Sequence, residues 1–161
     1  MSLDSLYQQL ILEHAKARHG SGLDASTGSV APGSAGELPV PGVGQSHQLN
    51  PVCGDEVTVR VEVSDGAIRS LRWEGQGCSI SMASASVLHG LAEGAGLGEF
   101  DELVAAFRDM LRSRGAVQAD PEVLGDAAAF EGVSRYAARV KCAMLAWVAA
   151  EDAARQARAE D

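Results

Sequence analysis

A β-hairpin set among amphipathic helices is what this sequence predicts, the element content of an α+β fold. Two strands and one turn carry the sheet. From Glu56 the chain alternates, with Val57, Val59, Val61 and Val63 facing one way and Glu56, Thr58, Arg60 and Glu62 the other. Asp65–Gly66 supplies a tight turn of the hairpin kind, and Ile68 to Glu74 reads as the returning strand. On both flanks the apolar residues recur at intervals of three and four, the period of a helix.

In chain order, Leu3, Leu6, Tyr7, Leu10, Ile11 and His14 make an amphipathic helix that Gly20 ends. Residues 20–46 are rich in Gly, Ser, Ala and Pro and carry few large apolar groups. Such a stretch cannot offset its own ordering entropy, so it is expected to be a flexible loop inside one domain spanning 1–161. The helix before it is too short to fold alone. A short strand is expected at 46–50. In the strand from Ile68, Leu71 and Trp73 share a face that Ile68 does not, which calls for a bulge.

Ser81 to Leu91 is expected as a helix capped by Ser79 or Ser81, its run of Ala and Ser allowing close packing. Phe100, Leu103, Val104, Phe107 and Leu111 form the apolar stripe of a second helix, closed by Gly115. Asp120–Pro121 is a cap followed by a first-turn proline, the start of a short helix reaching Ala128. The last helix runs from Ser134 to Ala157, with Val133, Ala137, Val140, Met144 and Trp147 as its stripe. At 100° per residue, Cys142 falls away from that stripe and beside Arg139 and Arg135, cations that would favour its thiolate.

With 161 residues, 46% hydrophobic and 22% charged, the chain can bury a core without disulfides. Its net charge of −9, with no Lys/Arg stripe, speaks against nucleic acid and suits a partner with a basic docking surface. The first twenty residues hold acids and no long apolar run, so neither an export signal nor a membrane span is expected. The expected location is the cytoplasm. There, three cysteines point to metal binding, reactivity or simple burial rather than to a disulfide framework.

Those cysteines have distinctive settings. Cys78 lies in WEGQGCSISMASASVLHG, where a strand gives way to a helix and unpaired N–H groups favour an anion. Cys53 and Asp55 in NPVCGD are spaced to share a face of an extended segment, with Gly54 free to bend between them. Cys142 comes from a helix surface. Three thiolates and a carboxylate make a four-ligand set suited to tetrahedral zinc, and thiolate-rich sites also take iron–sulfur clusters. On spacing alone, the bland alternative stands level: Cys78 and Cys142 as small core residues and Asp55 as a turn acid. His14 and His89 read as helix-face residues, and His47 is a reserve ligand near Cys53.

NPVCGD, EGQGCSISMASAS, LGDAAAFEGVSRYAARVKCAMLAW and the opening LYQQLILEH resemble the SufU branch of the IscU-like iron–sulfur scaffold family. The likeness runs from Ser5 to about Ala150, apart from the loop. Lys141 stands where IscU-type members have histidine, and the stretch between Cys78 and Cys142 is longer than theirs; both features point to the SufU branch. The loop at 20–46 is longer than usual for the family, and Ala137 replaces a common proline.

The resemblance implies an α+β fold in which a small antiparallel sheet of about three strands packs with five or so helices and the metal sits at one exposed end. It implies Cys53, Asp55, Cys78 and Cys142 as zinc ligands and Arg139 as a supporting neighbour. It also implies a role: accepting persulfide sulfur from a pyridoxal-phosphate cysteine desulfurase of the SufS type and passing it to downstream cluster-assembly proteins. In that scheme a histidine of the desulfurase frees Cys53 from zinc, and Cys53 accepts the sulfur. The protein would be sulfurtransferase-like only loosely, because the desulfurase performs the carbon–sulfur chemistry. The alternatives are a scaffold holding a transient cluster on the same ligands, and a module whose zinc is purely structural.

Overall fold

The computed structural model describes residues 3–23 and 41–159. Among them are three strands and five α-helices. Helix α1 (Leu3–Ala17) is followed by strands β1 (Val43–Asn50), β2 (Asp55–Ser64) and β3 (Ala67–Gln76), then α2 (Ser79–Ala92), α3 (Leu97–Arg112), α4 (Pro121–Leu124) and α5 (Ala137–Ala159). The strands form an antiparallel meander in the order β1-β2-β3.

The valine alternation of β2 is realised as read: Val57, Val59, Val61 and Val63 are all buried. Asp65 and Gly66 both take positive φ, 55° and 75°, as a hairpin turn matched to strand twist requires. The bulge is present too. The register shifts between Glu62 and Val63, so that Val61 faces Leu71 while Val63 faces Ile68. That slip brings Ile68, Leu71 and Trp73 together into the core. The first strand is longer than expected, starting at Val43 rather than at residue 46.

Arg60 departs from the pattern. Placed on the polar face by alternation, it is only 1% exposed; its Nε donates to Gln45 Oε1 at 2.9 Å and its Nη1 to Leu23 O at 3.5 Å. The cover comes in part from the head of the expected loop. Gly20 O accepts from Trp73 N, Gly22 N donates to Trp73 O, and Arg72 donates to the carbonyls of Ser21 and Gly22. Residues 20–23 are thus bonded along β3 and protect the edge of the sheet. The remainder of that loop, 24–40, lies outside the described residues.

Helices cover the valine face. In α2 the small residues Ala83, Ser84, Ala85 and Ser86 are fully buried, wedged between α1 and α5. Phe107 of α3 stacks on Trp147 of α5, with ring centroids 3.9 Å apart, and meets Phe130 edge-on. The Asp120 carboxylate caps α4 by accepting from Glu122 N at 3.0 Å, as the Asp-Pro signal indicates. The α-helix stops at Leu124, however, because Gly125 turns to φ 51°, and the chain continues as 3₁₀ turns through Arg135. Helix α5 therefore begins at Ala137, not Ser134. Of its expected stripe, Val133, Met144 and Trp147 are buried and Val140 is half-buried, whereas Ala137 is exposed. Its middle is buried nearly all round, since α5 lies on β1 and β2 and also packs against α2.

Such close approach has a requirement at Gly44 in β1, where a Cβ would run into the Ala153 carbonyl of α5. Gly44→Ala is expected to cost about 1–3 kcal/mol by overpacking, read as a melting temperature lower by several degrees. An unchanged melting temperature would show that α5 yields freely.

Candidate metal centre

Four side chains from three separate stretches of the sequence meet at one end of the sheet. Cys53 lies in the exposed turn 51–54 between β1 and β2, and Asp55 is the first residue of β2. Cys78 caps the start of α2, and Cys142 lies in the second turn of α5. Cys53 and Cys78 are exposed, whereas Asp55 is 2% and Cys142 4% exposed. The site thus has a buried floor and an open mouth.

The distances suit a shared ion. Cys142 Sγ is 3.6 Å from Cys53 Sγ, and the ligand atoms of Cys53, Asp55 and Cys142 all lie within 4.8 Å of one another. Cys78 stands just outside this trio and approaches it at Asp55, its Sγ being 3.4 Å from Oδ2. Zinc bonds of about 2.3 Å to sulfur and about 2.0 Å to oxygen, at tetrahedral angles, give edges of about 3.8 Å (S···S) and about 3.5 Å (S···O). The observed separations, 3.6 and 3.4 Å, match those edges. Three soft thiol donors and one hard carboxylate are also a donor set that zinc accepts.

Local sequence explains how the group is held. Gly54 adopts φ 73° and turns the chain between Cys53 and Asp55. Asn50 shapes the same turn: its Oδ1 accepts from Val52 N at 3.2 Å, and its Nδ2 approaches Cys142 Sγ at 4.0 Å. Gly77 is required by proximity, since a Cβ there would collide with the Asp55 carboxylate. Farther in, Ser84 of α2 donates to Ala143 O at 2.6 Å and accepts from Trp147 Nε1 at 2.9 Å. These bonds register the helix carrying Cys142 against the helix carrying Cys78.

The helix cap differs from expectation. Cys78, not Ser79 or Ser81, is the N-cap of α2, and its own side chain makes no capping bond. Asp55 supplies the cap from β2: Oδ1 accepts from Cys78 N at 3.0 Å, and Oδ2 accepts from the Ser81 hydroxyl at 2.6 Å. Burial alone would push the Asp55 carboxyl pKa up. The bonds from Ser81, Cys142 and the Cys78 N–H outweigh it and hold the pKa below its ordinary value.

The expectation for Cys142 is overturned. Its thiol pKa is pushed up, first by burial, then by Asp55, Cys53 and Cys78 around it. Arg139 and Arg135 do not offset this. Both are exposed, the Arg139 guanidinium lying over the Tyr136 ring at 4.9 Å and Arg135 lying beside Gly115. Helical projection misled because α5 is buried on the side where Cys142 stands. Without those arginines, a cation held by the ligands themselves is what would keep this thiol ionised. Arg139 instead lines a groove of about 430 Å³ with Tyr7, Ile11, Ile80, Val133 and Tyr136.

The histidines lie elsewhere. His47, the reserve ligand, pairs with Glu56 at 3.4 Å. His14 bridges Ser86 and Asp126, and His89 bonds Leu71 O at 2.7 Å. Two neighbours of the site were not singled out by sequence reasoning as acting on it, Asn50 and Ser81. Asn50 stood inside the NPVCGD motif, and Ser81 was read only as a possible cap.

Residues 6–143 match the NifU-like N terminal domain family. The chain is 33% identical over 150 residues to the zinc-dependent sulfurtransferase SufU of Bacillus subtilis (strain 168), covering 93% of this chain and 90% of that relative. It is 30% identical over 152 residues to the iron–sulfur cluster assembly scaffold protein IscU of Streptococcus pyogenes serotype M1, covering 94% and 84%. Two solved structures share the fold. One, FiSufU of Fervidobacterium islandicum AW-1, is described as a putative iron–sulfur cluster assembly scaffold protein for the SUF system; it superposes with a TM-score of 0.70 at 27% identity over 95% of this chain and 99% of that one. The N-terminal part of a NifU-like protein from Brucella abortus superposes with a TM-score of 0.74 at 26% identity over 99% of both. With its sheet, its helices and the matched stretch in agreement, this chain belongs to the NifU-like N-terminal domain family.

Proposed function

We propose that this chain is a zinc-binding sulfur acceptor that takes persulfide sulfur from a SufS-type pyridoxal-phosphate cysteine desulfurase and passes it to iron–sulfur cluster assembly in the cytoplasm. The observation that carries the reading is the placement of Cys53: an exposed thiol on a turn, 3.6 Å from the buried thiol of Cys142. The name of the Bacillus relative supports it. Cys53, Asp55, Cys78 and Cys142 would hold the zinc, which when bound keeps thiols deprotonated and protected until a partner docks.

The residues divide the work. Cys142 sits on a buried helix and Asp55 is tied to α2, so neither can move far. Cys53 lies on a turn whose neighbour Val52 is 78% exposed, open to a docking partner. Its thiolate attacks the outer sulfur of the donor's cysteine persulfide. A new S–S bond forms to Cys53, the donor's S–S bond breaks, and the donor cysteine leaves as a thiolate with the electron pair. The exchange is redox-neutral and runs the same way toward the recipient. Arg139, exposed one helical turn before Cys142, supports the incoming partner. No helix of the described residues is long and apolar enough to cross a membrane.

A second reading is a scaffold holding a transient cluster on the same ligands, favoured by the IscU relative. Metal analysis of untagged protein separates the two: about one zinc per chain and no visible absorbance is expected for transfer, and a brown, iron-bearing protein for the scaffold. Cys53→Ala is expected to fold and yet lose most of the stimulation of the desulfurase in a coupled assay. Full stimulation by that variant removes Cys53 from the transfer step. Arg139→Ala is expected to stay within about 1 kcal/mol of the parent in stability, losing only an exposed cation–π contact. Its sulfur acceptance should fall further than its metal content, and unchanged turnover with the desulfurase would deny Arg139 a role.

A further inference from the structure

We infer that Ser81 is a positioning residue of the metal site, orienting Asp55 so that it offers a single oxygen, Oδ2, to the ion. The inference rests on the zinc-binding reading and concerns a residue outside the ligand set.

Ser81 is 1% exposed in the first turn of α2, and its hydroxyl is 2.6 Å from Asp55 Oδ2. Its oxygen also lies 3.5 Å from Cys78 Sγ. A hydroxyl has one proton to give, and the short contact to the carboxylate takes it. The other carboxylate oxygen, Oδ1, is engaged by the Cys78 N–H at 3.0 Å. Asp55 is therefore gripped at both oxygens by the same helix turn, and its plane cannot swing. Oδ2 is the oxygen that meets Cys78 Sγ, at 3.4 Å. A carboxylate free to rotate could turn both oxygens to the ion and raise its coordination number; one gripped this way contributes one. Partners that bond to a ligand in this manner typically change metal affinity by about 10–100-fold when removed.

The test compares zinc affinity, by competition with a chelator, and the d–d absorption of the cobalt(II)-loaded protein, whose intensity reports coordination number. Ser81→Ala is expected to bind zinc about 10–100-fold more weakly and to show a weaker cobalt band. Because position 81 is buried, the isosteric pair Ser81→Thr and Ser81→Val isolates the hydroxyl from packing. The Thr variant should keep the parental cobalt spectrum, and the Val variant should lose it. Equal affinity and equal spectra across the Thr and Val variants would overturn the role of Ser81 while leaving the zinc reading intact. Failure of the parent itself to bind zinc or cobalt would overturn the zinc reading, and this inference with it.

Discussion

Asp55 is bonded to α2 through both carboxylate oxygens, and the end of the molecule that carries the cysteines is assembled around that joint. A buried carboxylate without partners costs several kcal/mol, so it must be satisfied or neutralised. Here the satisfaction comes from the end of a helix whose N–H groups have no internal acceptors. The helix dipole favours the same charge. One contact therefore fixes the orientation of α2 on β2, satisfies a helix terminus whose N-cap residue has no capping side chain, and holds an ionised oxygen beside three thiols. Gly77 lets the two elements come this close.

The far side of the site is fixed by different means. Cys142 reaches the group because α5 is clamped to α2 through Ser84, which bonds both Ala143 O and Trp147 Nε1. Stacking of Trp147 on Phe107 extends that clamp into the core. Buried hydroxyl bonds of this kind are directional, where Ala–Ala contacts are not. Helices packed through small residues could slide; the two bonds of Ser84 set one register. Cys78 and Cys142 are thus placed by packing, while Cys53 is placed only by a turn.

The parts legible in the sequence were those governed by local chemistry. The valines of β2, the Asp65–Gly66 turn, the bulge before Leu71 and the face of α3 follow from side-chain period and turn conformation, and the structure shows them in place. The coming together of Cys53, Asp55, Cys78 and Cys142 was not visible in spacing; it was expected from the resemblance. Apart from the early end of α4 at Gly125, a local effect, what periodicity misjudged was decided by a distant partner. Arg60 is buried because Leu23 and Gln45 cover it. The head of the Gly/Ser-rich stretch is ordered because β3 offered it an unpaired edge. The α2 cap comes from a residue 23 positions upstream of Cys78. Cys142 faces inward because α5 is enclosed on most sides, a condition no helical wheel contains.

The asymmetry between floor and mouth decides what such a site can do. If all four donors were as enclosed as Asp55 and Cys142, an ion could sit there but nothing could exchange with it. If all were as open as Cys53, thiols so close together would be free to oxidise or bind adventitious metal. A rigid half built on β2 and α5 keeps the geometry, and an open half on a turn and a helix end admits a partner. The local charge fits the same division. The chain as a whole is acidic, yet Arg139 and Lys141 are exposed in the first turns of the helix that carries Cys142, and Arg135 is exposed just before it. A partner approaching this end would meet the net charge of −9 at long range and these cations at close range. A partner suited to both would be basic overall and acidic where it meets the start of α5, a stricter requirement than the net charge alone imposes.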